Sequence, residues 1–174
     1  MPAPSKIKGN GFERDVAKIF SSVTGTNWQR VPNSGSFVGG SNAHRLQQLT
    51  ENQILLARGD LIPGDGFEKT IIECKFYKDL TWHKLFDAKG ITKLNEWIEQ
   101  VLIDHKLSNS AFYCVIFKIN RQGAFIVYEK DQVIKPLGNY ASYHYEAEDL
   151  HYYVEQFSEQ WVTDHLAQLK DLNA

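Results

Sequence analysis

Residues 71–80 read IIECKFYKDL, an apolar run of strand character that carries a glutamate and a lysine one residue apart. Side chains alternate between the faces of a strand, so Ile72, Cys74 and Phe76 point one way while Glu73 and Lys75 share the other. Two steps of about 3.3 Å put the Cβ atoms of Glu73 and Lys75 roughly 7 Å apart, room for a metal ion and a water. A same-face Glu and Lys on an edge strand is also the pattern of a solvated ion pair worth little.

The neighbourhood shifts the balance toward chemistry. Pro63, Gly64, Asp65 and Gly66 are turn residues between two apolar runs, so 52–77 is expected to form a hairpin. That pairing would bring Asp60 beside Glu73. Two carboxylates brought together repel unless a cation sits between them. Mg²⁺ suits such a pair, since it takes oxygen ligands and is commonly held by one or two carboxylates plus waters and phosphate oxygens. With Lys75 alongside, these are the parts needed to hydrolyse a phosphodiester. Asp65 is the rival ligand, but it lies in the turn itself, far along the hairpin from Glu73.

Outward from this hairpin, Phe12, Val16, Ile19, Phe20 and Val23 recur at helical spacing up to Gly25, and Glu13 lies beside that stripe. A short strand near residues 28–31 leads into a loop rich in Gly, Ser and Asn. Leu94, Trp97, Ile98, Val101 and Leu102 predict a second helix within 84–106. AFYCVIFKI and GAFIVYEK predict a further hairpin around residues 120–123. A tyrosine-rich loop then leads to a last helix with Leu150, Val154, Phe157, Trp161 and Leu169 at core-like spacing. This order predicts an α/β sheet covered by helices on its faces.

The 174 residues suit one domain. No apolar run is long enough to span a bilayer and the first ten residues lack a signal-peptide segment, so a cytoplasmic protein without a membrane partner is expected. Cys74 and Cys114 sit in strand-like runs and read as small buried residues. Net charge is −2, unevenly spread: residues 1–48 hold six basic against two acidic side chains, whereas 129–174 hold three against nine. A phosphate-binding surface could therefore lie at the N-terminal end, and plain solvated surface is the alternative reading of a patch of this size. No G-x-x-x-x-G-K-[ST] loop appears, so nucleotide hydrolysis is not indicated.

Three stretches in order, KGNGFERDVAKIF with Glu13, RVPNSGS, and Asp60 with Glu73-Cys74-Lys75, resemble the PD-(D/E)xK nuclease superfamily and, more narrowly, its archaeal-type Holliday-junction resolvases. The likeness covers about residues 6–129. It implies a restriction-endonuclease-like mixed β-sheet flanked by helices, from whose pattern this chain departs by an insertion at about 37–58 and a C-terminal helical extension over about 130–174. It further implies that Asp60 and Glu73 hold Mg²⁺ (or Mn²⁺), with the Cys74 backbone carbonyl as a possible further ligand and Glu13 as an added acidic one. Lys75 would orient the attacking water, and Ser34 and Ser36 would lie in a loop near the scissile strand. Arg30, with Lys8, Arg14 and Arg45, would contact DNA. A homodimer cutting a branched or four-way junction would be the working form. Asp60 follows Gly59, so the family's Pro-Asp signature lacks its proline.

For Ser34 and Ser36 a plain Gly-Ser turn is an even alternative. His44, Trp82, His83 and Lys84 could also meet DNA, although lone histidines and tryptophans more often pack. His144 and His151 read as structural, and Tyr140, Tyr143, Tyr145, Tyr152 and Tyr153 as partly buried rather than base-stacking. Two other functions stay open: a base-specific restriction-type endonuclease of the same superfamily, and a DNA-binding module without turnover.

Overall fold

The computed structural model describes residues 4–32, 58–108, 110–130, 132, 142–147 and 150–174. Ser34, Ser36, His44, Arg45 and Tyr140 lie outside the described residues, as does the expected insertion apart from Arg58.

Helix α1 (Pro4–Thr24) carries the predicted stripe and stops at Gly25, whose φ of +72° suits the left-handed position after a helix and whose N–H donates to the Ser21 carbonyl at 3.1 Å. Strands β1 (Gln29–Arg30) and β2 (Leu61–Ile62) make a short antiparallel pair. Then come β3 (Thr70–Tyr77), a 3-10 turn (Trp82–Phe86), α2 (Thr92–Ser108), β4 (Phe112–Ile119), β5 (Gly123–Glu129), β6 (Tyr143–Ala147), β7 (Leu150–Gln156) and α3 (Glu159–Asn173). Strands 3 to 7 form one mixed sheet in the order β3-β4-β5-β7-β6, parallel only between β3 and β4. The α2 crossover makes that parallel step possible, because two strands running the same way cannot be joined by a tight turn. No described helix is long and apolar enough to cross a membrane.

Two cores sandwich the sheet. On one face, Phe12, Val16 and Phe20 of α1 and Trp161, Val162 and Leu169 of α3 meet Ile72, Cys74, Cys114 and Ile116. On the other, Leu94, Trp97, Ile98 and Val101 of α2 cover Ile71, Tyr113, Val115 and Phe117. The alternation expected at 71–77 therefore holds: Ile72, Cys74 and Phe76 belong to the α1 face, and Tyr77 packs edge-on against Trp97 on the α2 face.

The structure corrects three expectations. The arms around 63–66 do turn where predicted, with the Phe67 N–H donating to the Gly64 carbonyl at 3.0 Å, but among the described residues they do not form a ladder with each other. Among the described residues the first arm contributes β2, which pairs with β1, while β3 pairs with β4. The region 84–106 divides into the 3-10 turn and α2, and its helix begins only at Thr92, past Gly90 at φ +60°. Leu150 and Val154 stand on β7, not on a helix. A spacing of four fits both periods, since it keeps two residues on one helix face and, being even, on one strand face too. Register pairs Tyr143 with Val154 and Tyr145 with Tyr152, which buries Tyr145 and Tyr152 in the α2-side core.

Trp161 anchors the C-terminal helix. It is fully buried, and its indole Nε1–H donates to Glu155 Oε2 at 2.6 Å, giving that buried carboxylate a donor. Trp161→Ala should cost about 3–5 kcal/mol for the cavity. Trp161→Phe should still cost about 1–3 kcal/mol, because it leaves Glu155 without the donor. Urea unfolding of the two variants checks both, and a Phe variant as stable as wild type would remove the role given to the hydrogen bond.

Candidate active site

β3 is an edge strand, and residues 58–60 run along its open side. The Asp60 N–H donates to the Ile72 carbonyl at 2.9 Å, and Asp60 Oδ2 accepts the Cys74 N–H at 2.8 Å. An edge strand has spare donors and acceptors, and here a carboxylate satisfies one of them. The Val31 N–H donates to the Asp60 carbonyl at 2.9 Å, so the same residue also receives the chain just past β1. Asp60 is thereby fixed at the sheet edge between α1 and α2, the approach that a ladder of paired arms was expected to provide.

Around it gather three further carboxyls. Glu13 on α1 is buried; it forms an ion pair with Arg30 Nε, while Arg30 Nη2 donates to Asn10 Oδ1 at 3.1 Å. Glu73 is 4% exposed and its Oε1 accepts from Lys75 Nζ at 2.5 Å and from Gln100 Nε2 at 2.8 Å. Lys75 Nζ also donates to Gln100 Oε1 at 2.9 Å, so one amide side chain holds both members of the E-x-K pair. Asp104, one turn after Gln100 on α2, accepts the Gly59 N–H. Its backbone carbonyl accepts from Arg58 Nη1 at 2.8 Å.

Electrostatics make this one site. Burial first, and then repulsion from Asp60, push the Glu73 carboxyl up to about 8 against the pull of Lys75. Burial and Asp60 likewise raise Glu13, with Arg30 and Lys75 opposing. For Asp104, burial raises the carboxyl, Arg58 and the Gly59 amide lower it, and Asp60 raises it again. Asp60 raises all three, and Lys75 lowers all three. Asp65, by contrast, is exposed in its turn and contributes to none of these shifts. Burial drives the Cys74 and Cys114 thiols upward, so both stay protonated as the inert buried residues expected.

The donor set suits a hard divalent cation: the groups are carboxylates, they repel one another, and two of them plus waters and phosphate oxygens suffice for Mg²⁺. Among the described residues, no three acidic, imidazole or thiol groups converge closely enough to ligate one ion by themselves. Glu73 instead turns to Lys75 and Gln100, and Glu13 to Arg30.

Glu13, Arg30, Asp60, Glu73 and Lys75 are thus brought together. Lys8 is exposed, with its ammonium 6.0 Å from the Phe76 ring centre, and Arg14 is exposed on α1. Trp82 packs on Phe117 and Phe125, while His83, Lys84, His144 and His151 are exposed. Sequence reasoning missed Asn10, Arg58, Gln100 and Asp104. The signal for the last two was present: Trp97, Gln100, Val101 and Asp104 follow the three-four spacing of one helix face, so polar residues interrupt a core stripe where it passes the sheet edge.

A mixed sheet between helices, with an acidic pair and a lysine on an edge strand, defines a restriction-endonuclease-like fold of the PD-(D/E)xK nuclease superfamily. The chain belongs to the family described as "Phage putative PDDEXK endonuclease", which matches residues 4–174 and so continues past the residue-129 limit of the sequence resemblance. Protein D14 of Escherichia phage T5 is 31% identical over 124 residues, 70% of this chain and 68% of that protein. No solved structure matches the chain.

Proposed function

We propose that this protein is a Mg²⁺-dependent DNA endonuclease, with Mn²⁺ able to substitute, and that it selects branched DNA such as four-way junctions. The nuclease reading is carried by Asp60, held at the edge of β3 with Glu73, Glu13 and Asp104 all feeling its charge. Asp60 and Glu73 are the metal ligands, with the Cys74 carbonyl and Glu13 as supplementary oxygens. A bound cation would supply positive charge for the transferring phosphoryl group and for the attacking water. Lys75 steadies and orients that water; the ammonium is kept in place by Glu73 and Gln100 and so requires little reorganisation during reaction. Arg30, held by Glu13 and Asn10, would present its guanidinium to phosphate.

Selection of branched DNA and action as a homodimer are supported by the resemblance of RVPNSGS and FER to the junction-resolving branch, in which Ser34 and Ser36 would approach the scissile strand. Labelled four-way, Y-shaped and linear duplexes, incubated with Mg²⁺, Mn²⁺ or chelator at several salt concentrations, test the proposal. Junction cutting at least tenfold faster than linear cutting is expected, with none in chelator. Equal cutting of all three would remove the branch preference and leave the nuclease standing, whereas base-specific linear cutting would favour a restriction-type enzyme. Lys75→Ala should lower turnover by about 10²–10³, with a much smaller change in affinity, since it is one phosphate contact among several. Single-turnover rates and binding in Ca²⁺ separate the two effects.

A further inference from the structure

Beside the acidic site lies a groove of about 710 Å³ between the outer face of α1 and the chain around β1. Arg14, Lys18, Ser21, Ser22, Asn27, Trp28, Gln29 and Arg30 line it together with Ala17. Three of these are cationic and none is acidic. Two lining groups are committed to the wall itself: Ser21 Oγ donates to the Ala17 carbonyl at 2.8 Å and accepts the Trp28 N–H at 2.9 Å, which ties α1 to the strand. Trp28 Nε1 donates inward to Thr24 Oγ1 at 3.1 Å. Arg14, Lys18, Asn27 and Gln29 remain exposed, and among the described residues neither Arg14 nor Lys18 pairs with a carboxylate.

Arg14 and Lys18 are four residues apart, about 6 Å along the helix axis, comparable with the step between successive phosphates of one strand. Two like charges at this spacing destabilise a helix slightly, a cost removed by an anion between them. Ser22, also in the lining, donates its hydroxyl to Glu159 Oε1 at 3.2 Å, so an acidic side chain adjoins the groove there. At its near end Arg30 belongs to both places, lining the groove and pairing with Glu13. A chain of phosphates leaving the acidic site would therefore meet Arg30, then Arg14 and Lys18, with Asn27 and Gln29 as neutral hydrogen-bonding groups.

Resting on the nuclease reading above, we infer that this groove is the track for the sugar-phosphate backbone of the cut strand on one side of the scissile bond, gripped by Lys18 and Arg14 and hydrogen-bonded by Gln29 and Asn27. It reads charge and spacing, not bases, so its contribution is independent of sequence.

The test is binding of a labelled junction in Ca²⁺ over a series of salt concentrations. R14A/K18A should bind at least tenfold more weakly, and its plot of log affinity against log salt should be shallower by about 2, near 0.9 for each phosphate that is no longer neutralised. R14K/K18R should restore both, and K106A/K170A, which removes equal charge elsewhere, should change neither. Methylphosphonates, which neutralise single phosphates, placed one and two steps from the cut on one flank should weaken wild type and leave R14A/K18A unaffected. Wild-type affinity and slope in R14A/K18A, or equal methylphosphonate effects in both proteins, would overturn the track while cleavage by wild type keeps the nuclease reading. Failure of wild type to bind or cut any DNA would overturn both.

Discussion

Glu73→Gln should abolish cleavage and, at pH 8 without divalent ions, make the protein more stable than wild type. In the fold, burial and Asp60 lift the Glu73 carboxyl from 4.5 to about 8. Between those two values the folded state keeps a proton that the unfolded chain releases. Stability therefore falls as pH rises from about 4.5 to about 8 and levels off above, by at most about 1.4 kcal/mol per pH unit, a few kcal/mol in all. Glutamine removes the titration and keeps a carbonyl oxygen for Lys75 and Gln100. Urea unfolding at pH 5.5 and pH 8 should show wild type losing markedly more stability than the variant, in which, of the site's carboxyls, only Glu13 and Asp104 remain raised; parallel curves would mean that Glu73 is not held protonated. Mg²⁺ or Mn²⁺ should recover wild type at pH 8 and do little for Glu73→Gln. Cleavage should drop at least about 10³-fold, the loss expected when charge stabilisation at the reacting phosphate disappears.

Asp60 gives the complementary case. Asp60→Asn should also stop cleavage while relieving Glu13, Glu73 and Asp104 of a repelling neighbour, so the metal-free fold should gain stability at pH 8. Asp60→Ala should stop cleavage as well, but it strands the Cys74 N–H now bonded at 2.8 Å, at a cost of about 1–3 kcal/mol. Asp60→Ala gains the same electrostatic relief but loses this bond, so it should be less stable than Asp60→Asn by about that amount, with the same effect on activity.

Wherever one period explained the residues, sequence and structure agree. Phe12 to Val23 could only be a helix, and Ile72, Cys74 and Phe76 could only share one strand face, so the E-x-K pair came out on a common face with a helix above it. Leu150 and Val154 satisfied two periods at once, and the strand won because β5 offered Tyr152 and Val154 an edge to pair with. At the site, Asp60 was legible as a carboxylate thirteen residues ahead of Glu73, but the means of its approach was not. A ladder can be anticipated from two apolar arms and a turn, whereas a carboxylate bonded to one amide of an edge strand leaves no periodic trace. Gln100 and Asp104 were hidden for a related reason, since contacts across more than 25 residues depend on how α2 lies on the sheet.

Gly59→Pro, which would write the superfamily's literal Pro-Asp into this chain, should inactivate the enzyme. Gly59 has φ +68°, whereas proline is locked near −65° and has no N–H. The Gly59 N–H is the one Asp104 accepts, and the next N–H, that of Asp60, is bonded to the Ile72 carbonyl. Proline would therefore break the first bond and rotate the chain away from the second. Even alanine fits badly: a Cβ at residue 59 would stand 2.8 Å from that same Ile72 carbonyl oxygen and 3.3 Å from its carbon, backbone atoms that cannot swing aside. Gly59→Pro should cost about 3 kcal/mol or more, and Gly59→Ala somewhat less. Both should reduce cleavage beyond their effect on folding, because the carboxylate of residue 60 moves with its backbone. Gly66 is the control, with φ +82° and open space around the added carbon, so Gly66→Ala should cost only about 1 kcal/mol and leave cleavage intact. Cleavage rates compared at temperatures where all three variants are fully folded separate misplacement from instability. A fully folded Gly59→Pro protein cutting at the wild-type rate would show that chemistry does not need Asp60 where the edge of β3 now holds it.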